Sequence, residues 1–176
     1  MRETKFSVIF SVAIVFAAAI SAFAQGKSFS DPNVDYSFDI PDAKWKMTVK
    51  PSATVPNVEF VNVERNDGHL EVRKLKAAKG FVMSDLIRSE EQKLQFQQGY
   101  VAGKEENFSG SLRGTAFNFE FVRSGRPMIG RFYFLRAGDE TVYVLRFTGY
   151  RDKLRSLQNQ TDSIARTFAV KREANL

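Results

Sequence analysis

Three consecutive stretches in the second half of the chain alternate apolar and polar residues: 112–122, 128–136 and 141–148. A period of two is typical of β-strands that bury one face. Ser124-Gly125 and Gly138-Asp139 separate the stretches, and short connections that contain glycine are typical of antiparallel hairpins. The pattern therefore predicts three long antiparallel strands in sequence order, and the rest of the fold must be arranged around them.

The lengths of the two connections set the predicted register. If both are two-residue turns, Phe117 lies opposite Phe132 on the first two strands. Asn118 on the first strand then lies opposite Arg131 on the second, and Arg131 lies opposite Arg146 on the third. The predicted apolar face holds Phe117, Phe119, Phe132, Leu145 and Phe147. Because a slip of one residue would move a whole strand's side chains to the other face, the agreement on one apolar face supports both registers.

The remaining patterns complete an α+β fold. Apolar residues recur at helical spacing over 84–98 and 150–167, which predicts two main helices. Further strands are predicted at 36–40, 45–49, 58–64, 70–75, 100–108 and 168–170. Since hairpins dominate the order of elements, we expect a mainly antiparallel sheet of about six to eight strands, flanked by the two helices in a sandwich.

The first 24 residues have the three parts of a secretory signal peptide. A basic start with Arg2 and Lys5 is followed by an apolar stretch over 8–20 and by the cleavage pattern Ala22-Phe23-Ala24. Cleavage before Gln25 predicts an exported protein, periplasmic or extracellular. An uncleaved anchor is the alternative, because the apolar part is nearly long enough to cross a bilayer.

Beyond the signal the sequence predicts one domain. Polar residues 25–34 are expected to be a disordered leader, residues 35–170 a single folded domain, and residues 171–176 a polar tail. There is no internal repeat and no shift in composition that would mark a second domain. The chain has no cysteine, so an exported form must be stabilised by packing and not by disulfides.

Composition and missing motifs exclude several chemistries. Without cysteine and with one histidine, the chain cannot supply a thiolate nucleophile, an iron–sulfur site or a multi-histidine metal site. The P-loop, the dinucleotide-binding glycine motif and the G-x-S-x-G elbow are absent. His69 follows a turn signal and is expected to be solvated. We therefore predict no catalytic residue, no metal and no cofactor; a hydrolase with an unmarked site remains the enzymatic alternative.

The positive charge is concentrated in the second half of the chain. Residues 25–112 carry 12 basic and 13 acidic side chains, whereas residues 113–176 carry 12 basic and 6 acidic ones, and ten of those 12 are arginines. The planar guanidinium is suited to carboxylates and phosphates. The excess arginine therefore favours contact with anionic groups.

Two arginines opposite each other, as predicted for Arg131 and Arg146, repel and need a carboxylate or a bound anion nearby. Glu120 is the diagonal neighbour, so one interpretation is an internally compensated polar network. The other is a small-anion or carboxylate site formed by Asn118, Glu120, Arg131 and Arg146.

Two segments resemble the PsbP/Mog1-like superfamily. Tyr36-Ser-Phe38-Asp-Ile-Pro41 followed by Trp45 is similar to its opening Y-x-F-x-x-P…W pattern, and Ile164-Ala165-Arg166-Thr167-Phe168 is similar to its closing helix pattern. The resemblance implies an antiparallel sheet flanked by helices. It also implies a non-enzymatic accessory or binding role, since the superfamily includes photosystem II extrinsic subunits and a small nuclear-transport regulator.

Three functions follow as hypotheses, given in the order in which the composition and the missing motifs favour them. The first is an exported accessory or binding protein that contacts a protein or an envelope component. The second is a binder of small anionic ligands that uses the arginine row, and the third is the unmarked hydrolase. Nucleic acid is not expected as a partner, because the predicted phenylalanine rows are core and the signal directs export. Membrane contact is expected only through the signal segment or weak electrostatics.

Overall fold

The computed structural model describes residues 27–64 and 68–171. The predicted signal peptide, the first two residues of the predicted leader and residues 172–176 of the predicted tail lie outside the described residues. The described elements, in chain order, are β1 (Lys27–Ser30), β2 (Tyr36–Ile40), β3 (Trp45–Val49), β4 (Val58–Asn62), β5 (Gly68–Lys76), α1 (Met83–Leu94), β6 (Val101–Ser109), β7 (Arg113–Arg123), β8 (Arg126–Arg136), β9 (Thr141–Tyr150), α2 (Arg151–Thr167) and β10 (Ala169–Val170).

Two antiparallel sheets and two helices form the predicted α+β architecture, which is confirmed. Seven strands pair in the order β3-β4-β5-β9-β8-β7-β6, and three pair in the order β1-β2-β10. The small sheet and α2 pack against one face of the large sheet, here called the α2 face. Helix α1 packs against the opposite face, here called the α1 face. The large sheet thus separates two hydrophobic cores.

Each helix buries the stripe that its sequence periodicity predicts. In α2, Leu154, Leu157 and Ile164 are buried against the α2 face. In α1, Ile87 and Leu94 are buried against the α1 face. Helix α1 ends four residues earlier than predicted, because a series of turns over 95–99 leads the chain into β6, with Gly99 at φ +62°.

The predicted disorder of residues 25–34 is wrong for the part that the structure describes. Lys27–Ser30 forms strand β1, which pairs with β2. One aromatic side chain accounts for this order: Phe29 is 5% exposed and its ring centroid lies 4.9 Å from that of Phe38. A single buried aromatic in a short polar segment gives too weak a periodic pattern to predict a strand.

The predicted register of the first hairpin is confirmed. Ser124 and Gly125 both have positive φ, +50° and +74°, and form a two-residue turn between Arg123 and Arg126. Positive φ at both central residues is the conformation that matches the twist of paired strands. Phe117 therefore lies opposite Phe132, and Asn118 opposite Arg131, as predicted.

The predicted register of the second hairpin is wrong by one residue. The Ala137 N–H donates to the Thr141 carbonyl at 3.0 Å, so this pair closes the hairpin with three residues between its members and not two. The carbonyl of the third, Glu140, accepts a hydrogen bond from the Ala77 N–H at 2.8 Å. This contact with the chain after β5 holds the longer connection in place.

The corrected register moves β9 to the other face. Arg131 lies opposite Phe147, and Phe132 lies opposite Arg146. Arg131 and Arg146 are therefore on opposite faces of the sheet, and the predicted arginine row does not form. A shared apolar face could not select the register here, because β8 and β9 are covered on both faces and either register buries apolar side chains.

Candidate anion-binding cavity

A cavity of about 600 Å³ lies on the α1 face beside the turn between β7 and β8. Three arginines line it: Arg146 from β9, and Arg123 and Arg126 from the two sides of the turn. His69 from β5 and the apolar side chain of Met128 from β8 also line it. The cavity thus combines three guanidinium groups with apolar surface.

The floor of the cavity is a part of the α1 face that α1 does not cover. A cross-strand row of Val61, His69, Thr148 and Gly130 passes through this region. Phe119 lies over Gly130, since a Cβ atom built on Gly130 would approach the ring to 2.0 Å. The ring takes the space above Gly130, and the smaller side chains along the rest of the row leave the surface open.

Arg146 is a poorly paired guanidinium at this site. Its side chain is 23% exposed, and Nη1 lies 3.8 Å from Oε2 of Glu71. Its Nε is buried and has no hydrogen-bond partner among the described residues. Burial lowers the pKa of Arg146, the charge of Glu71 opposes this, and the charges of Arg73 and Arg123 lower the pKa further. A guanidinium stays protonated even so, and a buried charge without hydrogen bonds is costly.

The carboxylates near Arg146 are engaged by other cations. Glu90, which is 4% exposed, accepts hydrogen bonds from Arg73 Nη2 at 2.7 Å and from Lys93 Nζ at 2.6 Å. Glu71 lies closer to Arg73, at 3.4 Å from Nε, than to Arg146. Arg146 is therefore left with a share of one carboxylate.

Arg123 and Arg126 bring two more positive charges to the rim. They lie directly opposite each other in the last pair before the turn. Within the described parts of the chain, no carboxylate lies within 4.0 Å of either guanidinium. Arg126 Nη1 donates a hydrogen bond to the Tyr150 hydroxyl at 2.7 Å and lies over its ring. Like charges opposite each other are unfavourable unless an anion joins them.

Arg131, on the α2 face, has hydrogen-bond and ion-pair partners from several elements. Its Nη1 donates to Oδ1 of Asn118 at 2.8 Å, and its Nε donates to the Tyr133 hydroxyl at 2.8 Å. Asp162 of α2 and Glu106 of β6 lie 3.4 and 3.6 Å away. Burial lowers the pKa of Arg131, but Tyr133, Asp162 and Glu106 outweigh it, so the pKa is raised overall. Of the two interpretations of the predicted row, the compensated network fits Arg131.

Glu120 does not compensate Arg131. Its carboxylate bonds to Arg151 at the start of α2. Of the four predicted site residues, the structure brings Asn118 and Arg131 into contact, leaves Glu120 with Arg151, and places Arg146 alone on the other face.

Arg123 and Arg126 were not predicted as site residues. The sequence does indicate their pairing, because two arginines that flank a predicted two-residue turn must lie opposite each other. His69, expected to be solvated beside a turn, lies within β5, where its Nε2 is 2.9 Å from Glu59 Oε2 and its side chain is 35% exposed. Its place in the cavity follows from the pairing of β5 with β9, which the sequence did not show.

The described residues, 27–64 and 68–171, contain no group of three acidic or histidine side chains arranged to hold a metal ion. Neither α1 nor α2 is long and apolar enough to cross a membrane.

Comparison with known proteins shows the fold. No protein-family model matches the sequence, and no curated protein is significantly similar to it. Cyanobacterial PsbP from Synechocystis sp. PCC 6803 is 14% identical, with 89% of this chain and 98% of that chain covered and a TM-score of 0.58. Mog1p of Saccharomyces cerevisiae, a Ran-binding protein, is 10% identical, with 82% and 95% covered and a TM-score of 0.59.

A third similar structure is LpqN of Mycobacterium tuberculosis, which is involved in cell envelope biogenesis. It is 11% identical, with 84% of this chain and 86% of that chain covered and a TM-score of 0.55. The chain also spans half the length of a longer Bacteroides thetaiotaomicron protein, at 17% identity, 86% coverage of this chain and a TM-score of 0.59. The resemblance to the PsbP/Mog1-like superfamily is thus confirmed as a shared fold.

Proposed function

We propose that this chain is a non-enzymatic binding protein whose cavity on the α1 face holds a small oxyanion, a carboxylate or a phosphate. The observation that carries this proposal is the state of Arg146. Its guanidinium is largely buried, its Nε lacks a hydrogen-bond partner, and it lines a cavity with Arg123 and Arg126.

A bound oxyanion would supply the acceptors that Arg146 lacks. Two oxygens of a carboxylate or phosphate accept parallel hydrogen bonds from the fork of one guanidinium, and such charge-assisted bonds are stronger than neutral ones. The hydroxyls of Ser124 and Thr148 lie in the same lining and supply further donors. A bound anion would also reduce the repulsion between the positive charges of Arg123 and Arg126, which lie opposite each other.

The comparisons support a binding role in general terms. Mog1p is a Ran-binding protein, and LpqN is involved in cell envelope biogenesis. In keeping with these and with the predicted signal sequence, we propose an exported accessory protein with a protein or envelope-component partner. N-terminal sequencing of the protein from an exporting host tests this directly: a start at Gln25 supports export, and a start at Met1 in the membrane fraction contradicts cleavage.

The geometry gives the hydrolase hypothesis no support. The hydroxyls of Ser28, Ser111 and Ser156 donate to backbone carbonyls, and His69 Nε2 faces Glu59. A nucleophile needs a base within hydrogen-bond reach. We therefore assign the cavity a binding role without a chemical step.

Calorimetric titration with inorganic phosphate and with acetate, at low ionic strength, tests the site. We expect the wild-type protein to bind at least one of these anions, and Arg146→Met to weaken that affinity at least about tenfold, because a charged hydrogen bond is lost. Arg146→Lys should recover only part of it, since an ammonium lacks the planar fork.

Arg113→Gln is the matched control. Arg113 is an exposed arginine that faces another arginine, Arg136, at the far end of the same two strands. This variant should bind the anion as the wild type does. No binding by the wild type, or equal losses in the Arg146 and Arg113 variants, would refute the proposed function. A shift of the Arg146 Nε–H resonance on titration would locate the anion independently of affinity.

A further inference from the structure

Several elements meet at the end of the sheet where the cavity opens. The β7–β8 turn lies there, and the Val122 N–H of β7 donates to the Gln98 carbonyl of the 95–99 turn at 2.7 Å. Val101, at the start of β6, lies opposite Glu120, whose carboxylate bonds to Arg151 at the start of α2. We call this part of the molecule the hairpin end.

Positive charge lies on both sides of the hairpin at this end. On one side is the cavity with Arg123, Arg126 and Arg146. On the other side, a shallow depression of about 380 Å³ is lined by Pro127, Arg151, Asp152 and Arg155. Glu120 neutralises Arg151, and Asp152 is the one acidic residue that lines either depression. The hairpin end therefore carries a net excess of exposed arginine.

Two apolar side chains project into solvent at the same end. Phe96 is 94% exposed, and Val101 is 58% exposed. Phe96 lies in the turn after α1, so it follows the last buried helical residue, Leu94, and escapes the core. Single exposed apolar residues are ordinary on protein surfaces, but a fully exposed aromatic beside a cluster of arginines is the combination that binds the interface of an anionic membrane.

We propose that the hairpin end docks on a membrane surface that contains anionic phospholipid, with Phe96 and Val101 entering the headgroup region. This inference rests on the proposed function: the oxyanion that the cavity takes is then the phosphate of one lipid headgroup, bound by Arg146. The exposed arginines Arg126 and Arg155 contact the phosphates of neighbouring lipids.

Charge complementarity favours this partner over an acidic protein segment. The arginines are distributed on both sides of the hairpin, which suits phosphates repeated across a plane. Both depressions at this end are lined by arginine, so neither offers an apolar groove for a partner helix or strand. An aromatic side chain with almost no protein contact gains burial when it enters the lipid interface.

The test is co-sedimentation of the processed protein, purified from an exporting host, with lipid vesicles. One arm uses phosphatidylcholine alone, and the other adds about 30% phosphatidylglycerol to supply negative surface charge. We expect binding to the anionic vesicles only, with loss of binding at high salt. Phe96→Ser and the double variant Arg126→Gln with Arg155→Gln should each reduce the bound fraction at least about fivefold, because aromatic insertion and basic charge both contribute.

Matched controls lie at other places on the surface. Val82→Ser changes a valine that is 58% exposed, the same as Val101, but lies before α1, away from the hairpin end. Val101→Ser should weaken vesicle binding and Val82→Ser should not. Phe96→Trp supplies a direct probe, since its emission should shift to the blue with anionic vesicles only.

The outcomes separate this inference from the proposed function. Phosphate binding that depends on Arg146, without binding to anionic vesicles, overturns the membrane inference and leaves the proposed function intact. Vesicle binding that is unchanged in Arg146→Met overturns the assignment of the lipid phosphate to the cavity. Equal binding to both vesicle types, or binding to an acidic peptide in place of vesicles, overturns the inference as a whole.

Discussion

Arg131 and Arg146 lie on neighbouring strands of one sheet, yet their surroundings are opposite. Arg131 is covered by α2 and contacts Asn118, Tyr133 and Asp162 at hydrogen-bond or ion-pair distances. Arg146 lies where no helix covers the sheet, and its nearest carboxylate is 3.8 Å away and shared with Arg73. Both are partly buried arginines in an antiparallel strand, so residue type and burial alone do not distinguish them.

The difference shows how to separate a structural arginine from a binding one. A buried cation that is hydrogen-bonded and ion-paired to its neighbours stabilises the fold and has less to offer a ligand. A buried cation with an unpaired donor beside an open cavity costs stability in the free protein and is compensated when an anion binds. The pairing of each donor, and not the number of arginines, identifies the candidate site.

The largest expected effect would separate the two arginines by stability. We expect Arg131→Met to lower the free energy of unfolding by about 2–4 kcal/mol, because Asp162, Asn118 and the Tyr133 hydroxyl lose a common partner. Arg146→Met should change it by less than about 1 kcal/mol, since little pairing is lost. Urea denaturation measures both values. Equal destabilisation by the two substitutions would contradict the difference in pairing between Arg131 and Arg146.

Anion binding supplies the converse for the same two variants. Arg131→Met should bind phosphate as the wild-type protein does, when binding is measured without urea and at a temperature well below the variant's unfolding transition. If this variant lost binding while still folded, the α2 face and not the α1 face would hold the anion.

A pair of tyrosines sharpens the same contrast at smaller magnitude. The Tyr133 hydroxyl is buried and contacts Arg131, Thr161 and Asp162, so Tyr133→Phe should cost about 1–3 kcal/mol. Tyr150 lines the cavity and is only partly buried, so Tyr150→Phe should cost less than about 1 kcal/mol. Thermal denaturation of the two variants measures the difference. A larger loss of stability in the Tyr150 variant would contradict the assignment of the compensated network around Arg131 to the α2 face.

Removing the one carboxylate that Arg146 shares should strengthen the candidate site. Glu71→Gln deletes a negative charge 3.8 Å from Arg146 Nη1, which should raise the affinity for phosphate by about fivefold, the scale of one charge at that distance in water-like surroundings. Glu105→Gln, an exposed residue of β6, is the control and should have no effect. Weaker phosphate binding by the Glu71 variant would show that Glu71 orients Arg146 and does not compete with the anion.

The smallest expected effect is a dependence on pH at the α1 face. Burial raises the pKa of Glu90, but hydrogen bonds and charge from Lys93 and Arg73 outweigh it, so the pKa lies below its ordinary value. The pKa is thus lower in the folded state, and the resulting stability is present above about pH 4.3, the unfolded value, and is lost as the pH falls through the folded value.

Glu90→Gln removes that contribution. The difference in unfolding free energy between about pH 6 and about pH 3 should therefore be smaller in the variant than in the wild type, by less than about 1 kcal/mol because other carboxylates also titrate there. Urea denaturation at the two pH values measures it. An equal or larger difference in the variant would contradict the lowered pKa.

Much of the fold follows from local patterns. Tyr36–Ile40 and Trp45–Val49 have the predicted bounds, and α2 begins one residue after its predicted start. The turn at Ser124-Gly125 fixed the β7–β8 register because two consecutive residues with positive φ leave one geometry for a short hairpin. Strand β1 escaped prediction because its burial depends on aromatic contacts with β2 and β4, distant from its own sequence.

The candidate site was only partly predictable. Arg146 was singled out from its sequence because two arginines predicted to lie opposite each other need a counter-charge. The prediction of which residues lie next to Arg146 was wrong, because the connection from β8 to β9 is one residue longer than the glycine in it indicates. Arg123 and Arg126 were within reach of the confirmed turn, whereas His69 required the non-local pairing of β5 with β9.

By itself the sequence determined the order of the elements from β2 onward, the α+β class and the absence of thiol and multi-histidine chemistry, because these depend on composition and short-range periodicity. Only the tertiary structure decided which arginine is paired and which faces a cavity. Side chains alternate with a period of two, so one extra loop residue, held by the Ala77 contact, moves Arg146 to the opposite face. Both faces of the central strands are buried, so hydrophobic patterning cannot select the register, and the choice falls to contacts between distant segments.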